Sequence, residues 1–133
     1  PESKLQSISE KATVFVNPRP SSILDNRSNF PSKVLEYLSY GKPVISTWTD
    51  GLSPEYRDIL IVPDSESPAD LARTIGDVIS WSDRRRSEYA LSLQRFLKTN
   101  KLWSIQARRL LDWMDSSILK RPLKAEHDKG RSV

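Results

Sequence analysis

Residues 30–46, FPSKVLEYLSYGKPVIS, decide the fold, because a helix start, an apolar helical pattern, a stop signal and a β-branched run follow one another there. Pro31 suits the first turn of a helix, where the missing amide hydrogen of proline costs nothing. The apolar residues then keep helical spacing until Gly41, which stands where a left-handed residue is favoured. Residues 44–48 have the composition of a strand. The stretch therefore predicts a helix over residues 31–40 and a buried strand after it.

Two further strands are predicted on either side of this stretch. Residues 13–16 and 60–62 are short, rich in β-branched side chains and followed by proline-containing turns. Helical patterns occupy residues 67–79, which open with the capping box SPAD, and residues 83–98 and 102–119. Because strands and helices alternate, we expect parallel pairing. The prediction is an α/β fold with a partial Rossmann-like parallel sheet of about three strands flanked by helices.

Composition and charge exclude several classes of function. The chain of 133 residues has no cysteine, and its one histidine, His127, lies in a polar region near the end, so neither a disulfide framework nor a thiolate metal site is available. The net charge of +4 arises within residues 101–133, which hold eight basic and four acidic side chains. Because acids are mixed with these bases and no aromatic residue follows Trp113, we predict a polar, disordered tail at residues 120–133 and no nucleic-acid binding. The alternative is that this basic end binds nucleic acid, with an affinity that falls steeply with salt.

The start of the helix at Phe30 is a candidate anion site. The first backbone N–H groups of a helix have no partner within it and lie at the positive end of the helix dipole, so those of Ser32 and Lys33, with Val34 as a further candidate, could bind a phosphate. Glu36 lies one turn further on the same face, where its carboxylate could accept bonds from two vicinal hydroxyls. The alternative is that Lys33 and Glu36 form only a weak surface ion pair. The residues alone leave both interpretations open.

A resemblance favours the first interpretation. The passages ATVFVNPRPSS, NFPSKVLEYLSYGKPVIST, DGLSPEY, LIVPD and SPADLARTI occur in this order. Together they resemble the C-terminal, donor-binding domain of retaining glycosyltransferases with the GT-B fold, group 1 or family 4-like, over about residues 2–119. The resemblance implies that residues 1–119 form a partial nucleotide-sugar-binding domain. It also implies that the first strands of that domain and the N-terminal acceptor domain are absent, as in an N-terminally truncated enzyme.

The resemblance assigns roles to individual residues. Glu36 would bind the donor ribose, and Ser32 and Lys33 would bind the donor phosphates. Many members have a second glutamate eight residues before the ribose-binding one, but this chain has Ser28 there, which we interpret as a subfamily feature. Further contacts to the donor sugar or its loops are expected from the residues Ser28, Asn29, Phe30, Gly51 and Glu55. No catalytic residue is assigned, and neither a metal nor a cofactor is expected, because the nucleotide-sugar is a substrate.

The implied function is transfer of a hexose-type sugar to a polysaccharide or glycolipid acceptor, as in lipopolysaccharide assembly. We expect the chain alone to be inactive and the full enzyme to be cytoplasmic, with peripheral contact to the inner face of the membrane. The alternative is a non-catalytic nucleotide-binding or protein-interaction module. An apolar face left bare on the last helix would favour self-association. The four tryptophans, Trp48, Trp81, Trp103 and Trp113, are predicted to be packing anchors rather than sugar platforms.

Overall fold

The computed structural model describes residues 2–118, so the predicted tail at residues 120–133 lies outside the described residues. The described residues divide into two compact units, with the boundary between Lys98 and Thr99. The elements in chain order are α1 (Glu2–Lys11), β1 (Phe15–Asn17), α2 (Leu24–Arg27), α3 (Ser32–Ser39), β2 (Val44–Ser46), a 3-10 helix (Pro54–Asp58), α4 (Pro68–Ile79), α5 (Asp83–Asn100) and α6 (Trp103–Ile118). The mixed α/β class predicted from the sequence is confirmed.

The described sheet has two parallel strands rather than the three predicted. β1 and β2 pair from Phe15 with Val44 to Asn17 with Ser46. Residues 60–62 lie beside β2 in the predicted parallel direction, but they form one isolated bridge, between Ile61 and Ile45. The physical reason lies on both sides of that bridge. Residue 61 bonds to β2, so residues 59 and 63 would continue the ladder, but the N–H of Ile59 donates to the carbonyl of Tyr56 at 3.1 Å and residue 63 is a proline, which has no N–H to donate.

Helix α3 has nearly the predicted bounds. Pro31 is its N-cap rather than its first helical residue, and Tyr40 is its C-cap. Gly41 has a φ of 69°, as the sequence predicts, and its N–H donates to the carbonyl of Leu38 at 3.1 Å. The predicted start of α4 is also confirmed, because the Ser67 hydroxyl accepts from the N–H of Asp70 at 3.2 Å.

A single apolar core lies between the sheet and the helices of the first unit. Its buried members are Phe15, Val34, Leu38, Val44, Leu52, Tyr56, Ile59, Leu60, Leu93 and Phe96. Tyr89 of α5 donates its hydroxyl to the carbonyl of Ile59 at 2.7 Å, which fastens α5 to the segment after the 3-10 helix. Burial raises the pKa of Tyr89 to about 12. The core therefore holds both strands, α3 and α5 in one body.

The tryptophans depart from the prediction in the second unit. Trp48 and Trp81 of the first unit are half-buried, and each stacks with a guanidinium group. The Cζ of Arg57 lies 4.2 Å from the centre of the Trp48 ring, and that of Arg85 lies 4.3 Å from the centre of the Trp81 ring. Trp103 and Trp113 of α6 are 89% and 61% exposed, so the prediction that they are packing anchors is wrong. Further apolar side chains of α6, Leu110, Leu111 and Met114, are also exposed. Among residues 2–118, no helix is both long and apolar enough to cross a membrane.

Candidate functional site

The candidate site lies at the carboxyl edge of the parallel sheet. β1 ends at Asn17 and β2 at Ser46, so the segments that follow them meet at the same edge, and α3 begins there. In open α/β sheets, ligands bind outside the carboxyl ends of the strands. The fold therefore brings the predicted site residues to the edge where a ligand is expected.

Buried polar side chains hold the two strand ends together. The amide Nδ2 of Asn17 donates to the hydroxyl Oγ of Ser46 at 3.0 Å, and both residues are buried. The Thr47 hydroxyl donates to the carbonyl of Arg19 at 2.6 Å and accepts from the N–H of the same residue at 3.0 Å. The sequence-based prediction of the site did not include Asn17, Ser46 or Thr47. The signal that could have indicated them is the polar residue with which each short apolar strand ends.

The loop after β2 is joined to the loop before α3. The N–H of Asp50 donates to the carbonyl of Arg27 at 2.8 Å, and the hydroxyl of Thr49 donates to the carbonyl of Asn29 at 3.1 Å. Thr49 is only 2% exposed, so this bond lies inside the structure. An exposed ion pair between Arg27 and Asp50, at 3.4 Å, adds a weaker link. These bonds fix the path of the chain into α3.

The loop after β2 and the loop before α3 approach each other closely at Gly51. A Cβ built on Gly51 would lie 2.5 Å from the carbonyl carbon of Asn29 and 2.6 Å from the backbone nitrogen of Phe30. Both neighbours are backbone atoms, which cannot rotate away as a side chain could. Gly51 is therefore needed for close approach of two backbones. The structure brings together three of the predicted residues, Asn29, Phe30 and Gly51.

The N-terminus of α3 is open to a ligand. Pro31 is buried and has no side-chain oxygen with which to cap the helix. The side chains of Ser32 and Lys33 are exposed at this end. Val34, the further donor expected from the sequence, is not available, because its N–H donates to the carbonyl of Pro31 at 2.8 Å. The N–H groups of Ser32 and Lys33 are therefore the donors that this helix end can present to an anion.

Lys33 and Glu36 form the ion pair that the sequence left open as an alternative. The Nζ of Lys33 lies 2.7 Å from Oε2 of Glu36, and both side chains are about half exposed. The hydrogen bond to Glu36, with its negative charge, raises the pKa of Lys33. An ion pair at this exposure is weak and exchanges readily for a ligand. Both candidate groups thus lie together on the surface, within the first five residues of α3.

The remaining predicted residues flank this arrangement. Ser28 is exposed and is the C-cap of α2, next to Asn29. Glu55 is half-buried in the 3-10 helix, where its Oε1 accepts from the Ser53 hydroxyl at 3.2 Å. A small cavity between the loop after β1 and α4 has a volume of about 40 Å³, which is room for about one water rather than for a nucleobase. In residues 2–118, no three Asp, Glu or His side chains form a cluster able to hold a metal ion.

The two parallel strands, with a helix that begins at their carboxyl edge, define an α/β domain. The family model for glycosyl transferases group 1 matches residues 2–80, which is more than half of the chain and includes every candidate residue. The chain therefore belongs to the group 1 glycosyl transferases, as the sequence resemblance predicted. No curated protein and no solved structure matches it significantly.

Proposed function

We propose that the chain is the donor-binding part of a retaining, GT-B-type glycosyltransferase, which transfers a hexose-type sugar from a nucleoside diphosphate to a polysaccharide or glycolipid acceptor. The observation that carries the proposal is the open N-terminus of α3, with Lys33 and Glu36 beside it, inside the segment that matches the family. This arrangement offers donors for the diphosphate and an acceptor for the ribose hydroxyls of a nucleoside diphosphate. The nucleobase and the sugar are not specified by these groups.

The diphosphate would bind at the start of α3. The N–H groups of Ser32 and Lys33 point out of the helix end, where the dipole favours negative charge. The ammonium of Lys33 adds a full positive charge at the same end. During transfer the bond between sugar and diphosphate breaks, and negative charge grows on the leaving phosphate. Donors that are already in place would stabilise that charge more than they stabilise the bound donor.

The ribose would bind to Glu36, in exchange for the ion pair. In the absence of a ligand, Glu36 accepts from Lys33 at 2.7 Å. On binding, the two vicinal hydroxyls would donate to the Glu36 carboxylate, and Lys33 would turn to the phosphate. One weak exposed pair would thus be replaced by two charge-assisted contacts. The contact between Gly51 and the loop at Asn29 would keep the helix start in place while side chains exchange partners.

An acceptor-binding domain would complete the enzyme. Sugar transfer requires that the acceptor be oriented against the donor and that water be excluded from the reacting carbon. We propose that the described residues form one wall of such a cleft, and that they transfer no sugar at a useful rate unless an acceptor-binding domain forms the other. We further propose that the complete enzyme works in the cytoplasm, in peripheral contact with the membrane that carries its glycolipid acceptor, and uses no metal.

Calorimetric titration with UDP, GDP, ADP and dTDP tests the proposal. We expect saturable binding of one nucleotide, and a loss of about tenfold or more in affinity in Glu36→Ala, because a carboxylate that accepts two hydroxyl bonds is removed. The matched control is Glu88→Ala, since Glu88 forms a similar exposed pair with Arg84 at 2.9 Å on α5. Equal affinity in the two variants would overturn the assignment of Glu36.

A second candidate function is a non-catalytic interaction module. The observation that favours it is the exposed apolar surface of α6, which includes Trp103 and Trp113. The two functions are separated by supplying the acceptor-binding half of a group 1 glycosyl transferase together with a donor and an acceptor. Transfer that requires this chain supports an enzyme. Nucleotide binding without transfer supports a module.

A further inference from the structure

A second, larger cavity lies at the opposite edge of the sheet. It has a volume of about 490 Å³ and is lined by residues 11–13, residues 41–43 and one face of α5 at Arg86, Ser87 and Ala90. The N–H of Phe15 donates to the carbonyl of Pro43 at 2.9 Å, so the cavity lies where both strands begin. The candidate donor site lies at the other end of α3, whose eight residues span roughly 12 Å. The two sites are therefore separate.

The lining of this cavity is basic. It includes Lys11, Lys42 and Arg86, and none of the described residues that line it is acidic. The acids next to lining residues in the sequence are engaged with other side chains, since Glu10 accepts from Gln6 at 3.1 Å and Glu88 pairs with Arg84 at 2.9 Å. Asp83, at the start of α5, is an exposed acid one turn from Arg86 and does not line the cavity. Three positive charges around one cavity repel each other and any bound cation. They favour an anion with more than one charge.

The guanidinium of Arg86 is held in a fixed position. Its Nε donates to the carbonyl of Trp81 at 3.2 Å, and one terminal nitrogen donates to the carbonyls of Val78 and Ile79 at 3.2 and 2.7 Å. These bonds tie Arg86 to the end of α4. Because its geometry is already fixed, the positive charge is present at the cavity without further ordering. The two lysines, in contrast, can reorient toward a ligand.

Helix ends reduce this positive potential but do not cancel it. The C-termini of α1 and α3 lead into the cavity at Lys11 and Gly41, and Arg86 contacts the end of α4. Each helix end carries about half a negative charge, whereas each cation carries a full positive charge. A purely capping role for the three cations would leave the cavity unable to bind an anion. The balance of charge instead leaves it positive.

We propose that this cavity binds a phosphate-bearing anion through Lys11 and Lys42, with Arg86 and the Ser87 hydroxyl as further donors. Its volume falls within the range of small-molecule sites, about 300–1,000 Å³, so it admits a ligand larger than one phosphate group. The phosphate could belong to a soluble polyphosphate or to a lipid headgroup, and the lysine donors are the same for both. This site does not depend on the proposed donor site.

Nuclear magnetic resonance of the ¹⁵N-labelled full chain tests the proposal with inorganic pyrophosphate as the probe. We expect saturable shifts at the amides of Thr13, Lys42 and Ser87, and weaker binding at higher salt. The double variant Lys11→Gln, Lys42→Gln should lose about tenfold or more in affinity at these amides. The control, Lys4→Gln with Lys98→Gln, removes the same charge from exposed positions outside the cavity and should retain the affinity. The spectra also show whether each variant is folded. If the double variant does not fold, Lys11→Gln and Lys42→Gln are measured separately in its place.

The outcomes separate the sources of the phosphate and the ways in which the proposal fails. Shifts at the cavity amides with pyrophosphate alone identify a soluble phosphate ligand. The same amides perturbed by phosphatidylglycerol vesicles, and not by phosphatidylcholine vesicles, identify a headgroup. Shifts confined to Ser32 and Lys33 would place the anion at the other edge of the sheet and overturn the proposal. An equal loss of affinity in the control variant, or no shifts, would overturn it as well.

Discussion

Replacement of Gly51 by alanine tests how the two loops of the candidate site are held together. The added Cβ would lie 2.5 Å from the carbonyl carbon of Asn29, about 1 Å closer than ordinary van der Waals contact, which begins at 3.4 Å. Since the atoms it meets are backbone, the loops must separate. This separation would lengthen two hydrogen bonds, from the N–H of Asp50 to the carbonyl of Arg27 at 2.8 Å and from the hydroxyl of Thr49 to the carbonyl of Asn29 at 3.1 Å.

The expected destabilisation is about 2–4 kcal/mol, from about 1–3 kcal/mol for overpacking and about 1 kcal/mol for the weakened hydrogen bonds. Urea unfolding followed by tryptophan fluorescence measures it as a lower midpoint at unchanged slope. The matched control is Gly76→Ala, because a Cβ at Gly76 in α4 meets nothing within 4 Å. That control should be more stable than the wild type by up to about 1 kcal/mol. A Gly51→Ala protein as stable as the control would refute the close contact of the two loops.

Three further predictions concern the helix end, the buried phenol and the exposed helix. Gly41→Ala should lower the free energy of unfolding by about 1 kcal/mol, since its φ of 69° is strained for alanine; an unchanged urea midpoint would contradict this. Tyr89→Phe should cost about 1 kcal/mol through the lost bond to Ile59. Because the pKa of Tyr89 is raised from 10.0 to about 12 in the folded protein, its neutral form contributes stability that is complete below pH 10 and is lost as pH rises from about 10 to about 12. Tyr89→Phe should therefore show a smaller loss of stability across that range, and parallel curves would refute the assignment. The exposed Trp103 and Trp113 should cause self-association, which light scattering detects and Trp113→Gln reduces; a monomer at all concentrations would count against it.

Features that depend on neighbours along the chain could be predicted from the sequence. The bounds of α3, the left-handed Gly41 and the cap at Ser67 follow from residue types at fixed offsets, because the atoms that interact lie within one or two helical turns. The candidate residues Ser32, Lys33 and Glu36 come with that helix. Their spacing already implied that Lys33 and Glu36 can meet, and the structure has them 2.7 Å apart.

Features that depend on contacts between distant segments could not be predicted. The contact of Gly51 with Asn29 requires that the loops after β2 and before α3 meet, and no local pattern encodes that meeting. The prediction of a third strand was wrong for a similar reason, because the carbonyl of Tyr56 accepts from the N–H of Ile59, which a third strand would have donated to β2. The exposure of Trp103 depends on what α6 packs against, and side-chain type alone does not determine this.

Residue-resolved mapping of nucleotide binding tests the central claim most directly. The ¹⁵N spectrum of the full chain would be recorded during titration with the nucleoside diphosphate that binds in calorimetry. We predict that the largest amide shifts occur at Ser32 and Lys33, that Glu36 is perturbed one turn later, and that Glu36→Ala weakens the response while Glu88→Ala does not. Binding that perturbs other residues and leaves the start of α3 unchanged would contradict the claim that this helix end holds the donor.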